Sequence, residues 1–369
     1  MATAREKSVL LLAGRLEVRG RTSQLLHLAR RLPELGFKTQ ILCPDASRLG
    51  KDVTQGIAVD AAPALEWPLV RLAAWYWESW ELAENPPDLI HVYQRRMLPL
   101  GSFLARRLRR PYVVTFHDFL RPGESLRFSQ VLCRRYLAVS EPIRDELFAS
   151  PRYPQELIEV IHSGVETEFP SPPSPILSPH KAPVIGTAGP LEFDKGHDVF
   201  VRSIPLILQA CPGTQFVIAG TGPEEHNLRQ LVRELRVSEC VTFVCGMADM
   251  SVAIEAMDIF VLPSLRQGLG TIMLEAMARC RPVIATQAGG VYRIVREGET
   301  GLLVPPSDNA ALARAVIELL RDPVRARQLG QAGREQVCQE FRVEEMVRKT
   351  AETYRAVLSE MPTAKEMDT

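Results

Sequence analysis

The chain has 369 residues, enough for two domains of ordinary size with a core each. Its 44 Lys and Arg balance 44 Asp and Glu, so no net field draws in nucleic acid. No apolar run approaches the roughly 18–20 residues that a bilayer span requires. Seven cysteines without a CxxC pair or metal-ligand spacing predict reduced, mostly structural thiols (Cys43 and Cys245 in apolar strands), a cytoplasmic protein and no bound metal.

The opening MATAREKSVLLLAG has too short an apolar stretch for a signal peptide and predicts a first strand over 8–14. Gly14 follows it, and Gly20 stands between Arg19 and Arg21 ahead of the helical pattern TSQLLHLARRL. Glycine before a helix lets backbone N–H groups approach a phosphate, and arginines add charge-assisted bonds. Further strands are predicted over 38–44, 89–93, 112–118, 136–140 and 158–164. Between the second and third lies EWPLVRLAAWYWESWELAEN, with all four tryptophans. Trp75, Trp77 and Trp80 cover more than one helix face, so they cannot all enter one core stripe. They predict an acceptor groove, a partner surface or shallow membrane contact, although the segment is acidic rather than lysine-rich. His117 closes YVVTFHD beside Asp118; a histidine there is either structural or a group at the binding edge.

The prolines of FPSPPSPILSPHKAP, 169–183, forbid regular structure and predict a linker. Beyond it, strands are predicted over 183–189, 215–222, 241–246, 259–264, 282–287 and 301–306. Near-continuous apolar strands alternating with amphipathic helices predict two doubly wound α/β domains, whose loops beyond the strand ends would line a cleft if the domains face each other. The expected layout is a first domain over 1–168, the linker, a second domain over 184–342, a helix over 343–361 packing back on the first domain, and a disordered tail over 362–369. Val347, Ala351, Tyr354 and Leu358 form that helix's apolar stripe.

Three stretches of the second half suit a ligand at strand ends. AGPLEFDKGHD places Lys195 and Gly196 at a helix start, where a lysine can reach a phosphate. AGTGPEE offers Gly220 and Gly222 but lacks the third glycine of a dinucleotide fingerprint, which argues against a dehydrogenase. SLRQGLGTIMLEAMA places Gln267 before the Gly268-Leu269-Gly270 turn and Glu275 inside the helix that follows. Helix amides flanked by glycine suit a diphosphate, and a glutamate can accept both hydroxyls of a ribose diol. Glu275 could equally pair with a basic side chain.

These stretches together resemble the family 4 retaining glycosyltransferases of GT-B architecture, over almost the entire chain. The residues that carry the resemblance are FVLPSLRQGLGTIMLEAMARCRPVIATQAGGVYRIVREGETGLLVPPSD (260–308), with support from DLIHVY, VVTFHD, YLAVSEPIRDEL, IHSGVE, DKGHD and AGTGP. The resemblance implies metal-independent transfer of a sugar from a nucleotide-diphosphate sugar, with retention, to a saccharide or lipid-linked acceptor. It places the donor mainly on the C-terminal domain and the acceptor mainly on the N-terminal one, in polysaccharide or lipopolysaccharide synthesis. The resemblance assigns the ribose to Glu275, the diphosphate to Lys195 and Gly20, and the donor sugar to His117. It assigns the nucleobase to the loop at Gly246 and Met247, and further donor contacts to Gly189, Pro190, Gly222 and the 268–270 turn. No cofactor beyond the donor is implied, and the inner face of the cytoplasmic membrane is a candidate location.

Four positions depart from the family pattern. Gln267 stands where the first glutamate of the signature is expected, Pro190 where many relatives have arginine, Ser163 for asparagine and Arg293 for glutamate. Glutamine keeps the length and acceptor oxygen of glutamate but cannot be a carboxylate nucleophile or a general base. Gln267 is therefore expected to position the donor sugar in a same-face displacement, and Arg19 or Arg21 to replace the missing arginine. The alternative is a catalytically impaired member that binds a nucleotide sugar or a partner.

Overall fold

Apolar runs such as KSVLLL and IFVL, covered on both faces, become the strands of two parallel sheets. The computed structural model describes residues 6–16, 20–50, 53–120, 132–169, 171–245 and 250–360. The chain divides into two compact units, one of Met1–His162 with Glu344–Thr369, the other of Ser163–Val343.

The first unit is built on β1 (Lys7–Leu12), β2 (Phe37–Cys43), β3 (Ala58–Ala61), β4 (Leu89–Val92), β5 (Tyr112–Phe116), β6 (Cys133–Ala138) and β7 (Ile158–Val160). They form a sheet in the order β3-β2-β1-β4-β5-β6-β7, every described pair parallel. Its helices are α1 (Gly20–Arg31), α2 (Arg71–Glu84), α3 (Leu98–Leu108) and α4 (Glu141–Phe148). The other six strands match the expected runs. β3, AVDA, escapes sequence reading because it is a short edge strand with mostly exposed residues and no alternation to detect.

The second unit repeats the plan with β8 (Val184–Ala188), β9 (Gln215–Ala219), β10 (Val241–Val244), β11 (Ile259–Leu262), β12 (Val283–Thr286) and β13 (Leu302–Val304), ordered β10-β9-β8-β11-β12-β13. Its helices are α5 (His197–Ala210), α6 (Glu225–Glu234), α7 (Ser251–Glu255), α8 (Thr271–Ala278), α9 (Val291–Ile294), α10 (Asn309–Arg321) and α11 (Pro323–Glu340). Aspartates start α10 and α11: Asp308 accepts from the Ala311 N–H at 2.8 Å and Asp322 from the Arg325 N–H at 3.0 Å.

The described part of the proline-rich segment forms no helix or strand, but it is not a free linker. Ile176 and Leu177 are buried in the second unit's core. The Asp258 carboxylate clamps the segment, accepting from the Leu177 N–H at 2.6 Å and the Val184 N–H at 2.8 Å. The second unit also begins and ends side by side: the Val165 N–H donates to Phe341 O at 2.8 Å and the Val343 N–H to Val165 O at 3.1 Å.

The last helix, α12 (Val343–Ser359), completes the first unit. Val347, Ala351 and Tyr354 are buried as the stripe requires, but Val357 rather than Leu358 carries the buried last turn. Tyr354 packs edge-on against Phe37, with ring centroids 5.5 Å apart. The expected tail over 362–369 lies outside the described residues. All seven cysteines are free; Cys43 and Cys133 are buried, whereas Cys245 falls just past β10 and is exposed, contrary to its expected place in a strand.

Candidate active site

In both sheets the strand order reverses at one place, between β1 and β4 in the first unit and between β8 and β11 in the second. Loops leaving neighbouring strands in opposite directions open a crevice at such a point, where doubly wound folds bind ligands. In the second unit those loops are Gly189–Gly196 and Pro263–Gly270, which hold most of the expected donor residues.

The two loops interlock through backbone. The Leu265 and Arg266 N–H groups donate to Asp194 O at 2.9 and 3.3 Å. A Cβ on Gly196, which has φ +64°, would stand 2.1 Å from Pro263 O, so only glycine permits this approach. The loop after β9 joins them: a Cβ on Gly220 would meet Gly189 O at 1.9 Å, and one on Gly222 would meet Leu191 O at 2.3 Å. Gly222 thus serves loop-to-loop packing. Gly189, with φ +139°, has open space where its Cβ would be.

Lys195 is largely covered and its ammonium lies 3.0 Å from Asp194 Oδ2, so part of its charge is answered locally. Pro190 offers no cation, but its carbonyl accepts from His197 Nε2 at 3.1 Å. Burial pushes the His197 imidazole down to about 4, against the pull of the Pro190 carbonyl, so the ring is neutral at physiological pH. With Nε2 donating, Nδ1 is left to accept from the Thr187 hydroxyl at 3.4 Å. Neither His197 nor Thr187 was singled out from sequence; DKGHD contains the histidine, but only the fold shows what it holds.

At the end of β11, the Ser264 hydroxyl donates to Gln267 Oε1 at 3.2 Å. That bond turns the amide so that its N–H₂ group is the end left for a ligand. The Gly290 N–H fixes the Gln267 carbonyl at 3.1 Å. Gly270, left-handed at φ 86°, starts α8, and no side chain caps the helix, unlike α10 and α11. The Met273 and Leu274 N–H groups donate to Gly270 O at 2.9 and 3.2 Å, so the N–H groups ahead of them are the ones placed to meet an outside acceptor. Leu269 is buried and can offer only its backbone; Gly268 precedes it, and Glu275 is half-buried in α8. Gly246 and Met247 lie outside the described residues.

In the first unit, the Tyr93 N–H donates to Leu12 O at 2.9 Å, joining the loops after β1 and β4. Gly20 is the first residue of α1 rather than a residue before it. Arg21 pairs with Asp118 at 3.1 Å, so it is not the uncompensated charge expected in place of the missing arginine, and Arg19 lies outside the described residues. His117 is the first residue past β5 and packs against Tyr93 at a 59° tilt, with centroids 4.6 Å apart. Burial, and then the Arg21 guanidinium, push its imidazole down to about 3. His117 is hydrogen-bonded to the Tyr93 backbone, while Nε2 is buried with no hydrogen-bond partner among the described residues. His117 is thus a neutral ring with a lone pair at Nε2. Arg95 steadies the loop from below, donating to Asp118 O and Phe119 O at 3.1 Å each.

Of the tryptophans, Trp67, Trp77 and Trp80 are exposed. Trp75 is a half-buried ring packed 5.8 Å from Phe103, which corrects its expected place on the surface.

Sequence-family comparison covers both units. Residues 18–169 match the model described as Glycosyltransferase Family 4, and residues 182–322 match the one described as Glycosyl transferases group 1. The chain belongs to the family 4 glycosyltransferases. Among curated relatives of this chain is the GDP-mannose-dependent alpha-(1-6)-phosphatidylinositol monomannoside mannosyltransferase of Mycolicibacterium smegmatis, 34% identical over 51% of this chain and 53% of that protein. Glycogen synthase of Mycobacterium tuberculosis is 28% identical over 73% of this chain and 69% of its own length. The chain spans about half the length of the first relatives it matches. Anabaena Alr3699/HepE, solved with UDP-glucose, superposes with a TM-score of 0.81 at 22% identity, over 95% of this chain and 99% of that one. The chain therefore has the GT-B fold of two Rossmann-like domains.

Proposed function

We propose that this glycosyltransferase moves a sugar from a nucleotide-diphosphate sugar to a saccharide or lipid-linked acceptor, with retention and without a metal, in cell-surface polysaccharide or lipopolysaccharide synthesis. The second unit holds the donor and the first the acceptor. The observation that carries this reading is the interlocked crevice at the second switch point, where Lys195, the Gln267 N–H₂ group and the uncapped start of α8 are all hydrogen-bond donors. Such a set suits a leaving diphosphate, and each donor aimed at developing charge contributes about 3–4 kcal/mol to transition-state stabilisation in favourable cases. Relatives named for GDP-mannose and a fold neighbour solved with UDP-glucose support a nucleotide-diphosphate sugar as the donor class.

With an amide at 267, the displacement proceeds without a carboxylate nucleophile there. The bond from the anomeric carbon to the diphosphate oxygen breaks as the bond to the acceptor oxygen forms on the same face. The acceptor's hydroxyl proton passes to the departing diphosphate. Gln267 orients the sugar, Glu275 holds the ribose hydroxyls, and His117 accepts a sugar hydroxyl hydrogen at Nε2.

The test is a screen of UDP-, GDP- and ADP-sugars for binding and slow hydrolysis, with Glu275→Ala as control and with a chelator added in parallel. One donor class should bind, turn over, survive chelation and lose affinity in the Glu275→Ala variant. Binding without hydrolysis or transfer to any acceptor would establish the impaired alternative, which Gln267 and Pro190 favour.

A further inference from the structure

In the second unit α5 and α6 pack side by side, and a cavity of about 300 Å³ opens between them. Among the described residues its lining includes none of Lys195, Gln267 and Glu275, so it lies apart from the donor crevice. Leu228 and Leu231 of α6 form an apolar floor that continues into the core. Phe193, from the loop Gly189–Gly196, stands on the rim and is 73% exposed. Single exposed apolar residues are ordinary on a protein surface. This one borders a cavity whose walls are polar.

Three side-chain pairs make those walls. Asn227 Nδ2 donates to Glu224 Oε2 at 3.0 Å, and Gln230 Nε2 donates to Glu234 Oε1 at 2.8 Å. On α5, Arg202 Nε lies 3.9 Å from Asp198 Oδ2. Pairs three or four residues apart are common on any helix. Here all three line one hollow.

We propose that this groove is a saccharide site separate from the donor crevice, holding part of a neutral oligosaccharide. Three properties select that ligand. Each wall pair presents planar donors and acceptors together, the complement of vicinal sugar hydroxyls, every one of which both donates and accepts. Phe193 offers a flat apolar surface on which the C–H face of a pyranose ring can pack. The wall carboxylates outnumber the one guanidinium, which disfavours an acidic sugar. Asp198, Glu224 and Glu234 are each partnered by an amide or a guanidinium, and so are not the bare charges a polyamine would seek. The inference does not depend on sugar transfer, since binding is measured without a donor.

The test passes the full chain over immobilised neutral hexose oligosaccharides, uronate-containing oligosaccharides and spermine. A neutral oligosaccharide should retain the protein, and free hexose should compete far more weakly than the free oligosaccharide. Phe193→Ala should weaken retention roughly tenfold, with an unchanged thermal midpoint because the ring is exposed. Asn227→Ala, Gln230→Ala should weaken it as well, again without a change in midpoint, since both amides are exposed. No retention on any neutral oligosaccharide, retention undiminished in both variants, tighter binding to the uronates, or retention on spermine alone would overturn the proposal.

Discussion

His91 Nδ1 and the Tyr354 hydroxyl meet at 2.5 Å, joining β4 to the last helix across 263 residues of sequence. His91 Nε2 meets the Thr115 hydroxyl at 2.7 Å, so both ring nitrogens are satisfied in a fully buried site. Tyr93 lies between the two buried imidazoles, 5.4 Å from His91 and 4.6 Å from His117, between ring centroids. Tyr354→Phe keeps the ring contact with Phe37 but leaves a histidine nitrogen unpaired. It should cost about 1–3 kcal/mol, read as a lower urea midpoint at unchanged slope.

Acid should weaken the fold through its neutral histidines. Burial holds His91 and His117 down to about 3 and His197 to about 4, against 6.5 for an ordinary histidine. Between those values the unfolded chain binds more protons than the folded one. Stability from this source is therefore full above 6.5 and declines as pH falls toward 3–4. Thermal midpoints measured from neutral pH downward should fall, and His91→Asn should flatten the slope by one histidine's share. An unchanged slope would remove His91 from this role.

Gln267 distinguishes a positioning amide from a lost nucleophile. Gln267→Ala, which removes the N–H₂ group that Ser264 orients, should lower turnover roughly 100-fold with a smaller change in donor affinity. Gln267→Glu should not raise turnover, because the acceptor oxygens it presents would face the diphosphate. Activity confined to the glutamate variant would refute the positioning role.

Gly220→Ala should be more damaging than Gly189→Ala. The first drives a Cβ to 1.9 Å from Gly189 O, whereas the second meets no atom within 4 Å and bears only the strain of φ +139°. Strain alone costs on the order of 1–3 kcal/mol. Gly220→Ala adds displacement of the loop bearing Pro190, so donor affinity should drop along with the melting temperature. Equal effects of the two substitutions would mean that loop packing does not set the site.

The sheets were legible because their strands are continuous apolar runs, and the crevice because glycine and lysine cluster just past those runs. What escaped was long-range or conformational. No local pattern pairs His91 with Tyr354, or shows that His197 holds Pro190. The prolines of 169–183 correctly exclude regular structure, yet the apolar pair Ile176-Leu177 among them is anchored in a core that only the tertiary fold creates. In α2 the excess of aromatic faces was visible, but the inward turn of Ser79 and Glu78 was not. Sequence also treats Arg21 as an available charge, whereas Asp118, distant in sequence, answers it.

The second unit is an insertion whose ends lie together at Val165 and Val343, and α12 returns to finish what β1 began. During synthesis the first half of the chain emerges long before Tyr354 exists, so His91 must wait for its partner until nearly all of the protein has been made. The later half needs nothing beyond residue 343 to close its own sheet. The contact of α12 with His91 can therefore form only after the inserted unit has been synthesised. A premature stop within α12 would spare the crevice of Lys195 and Gln267 and unmake the N-terminal half instead.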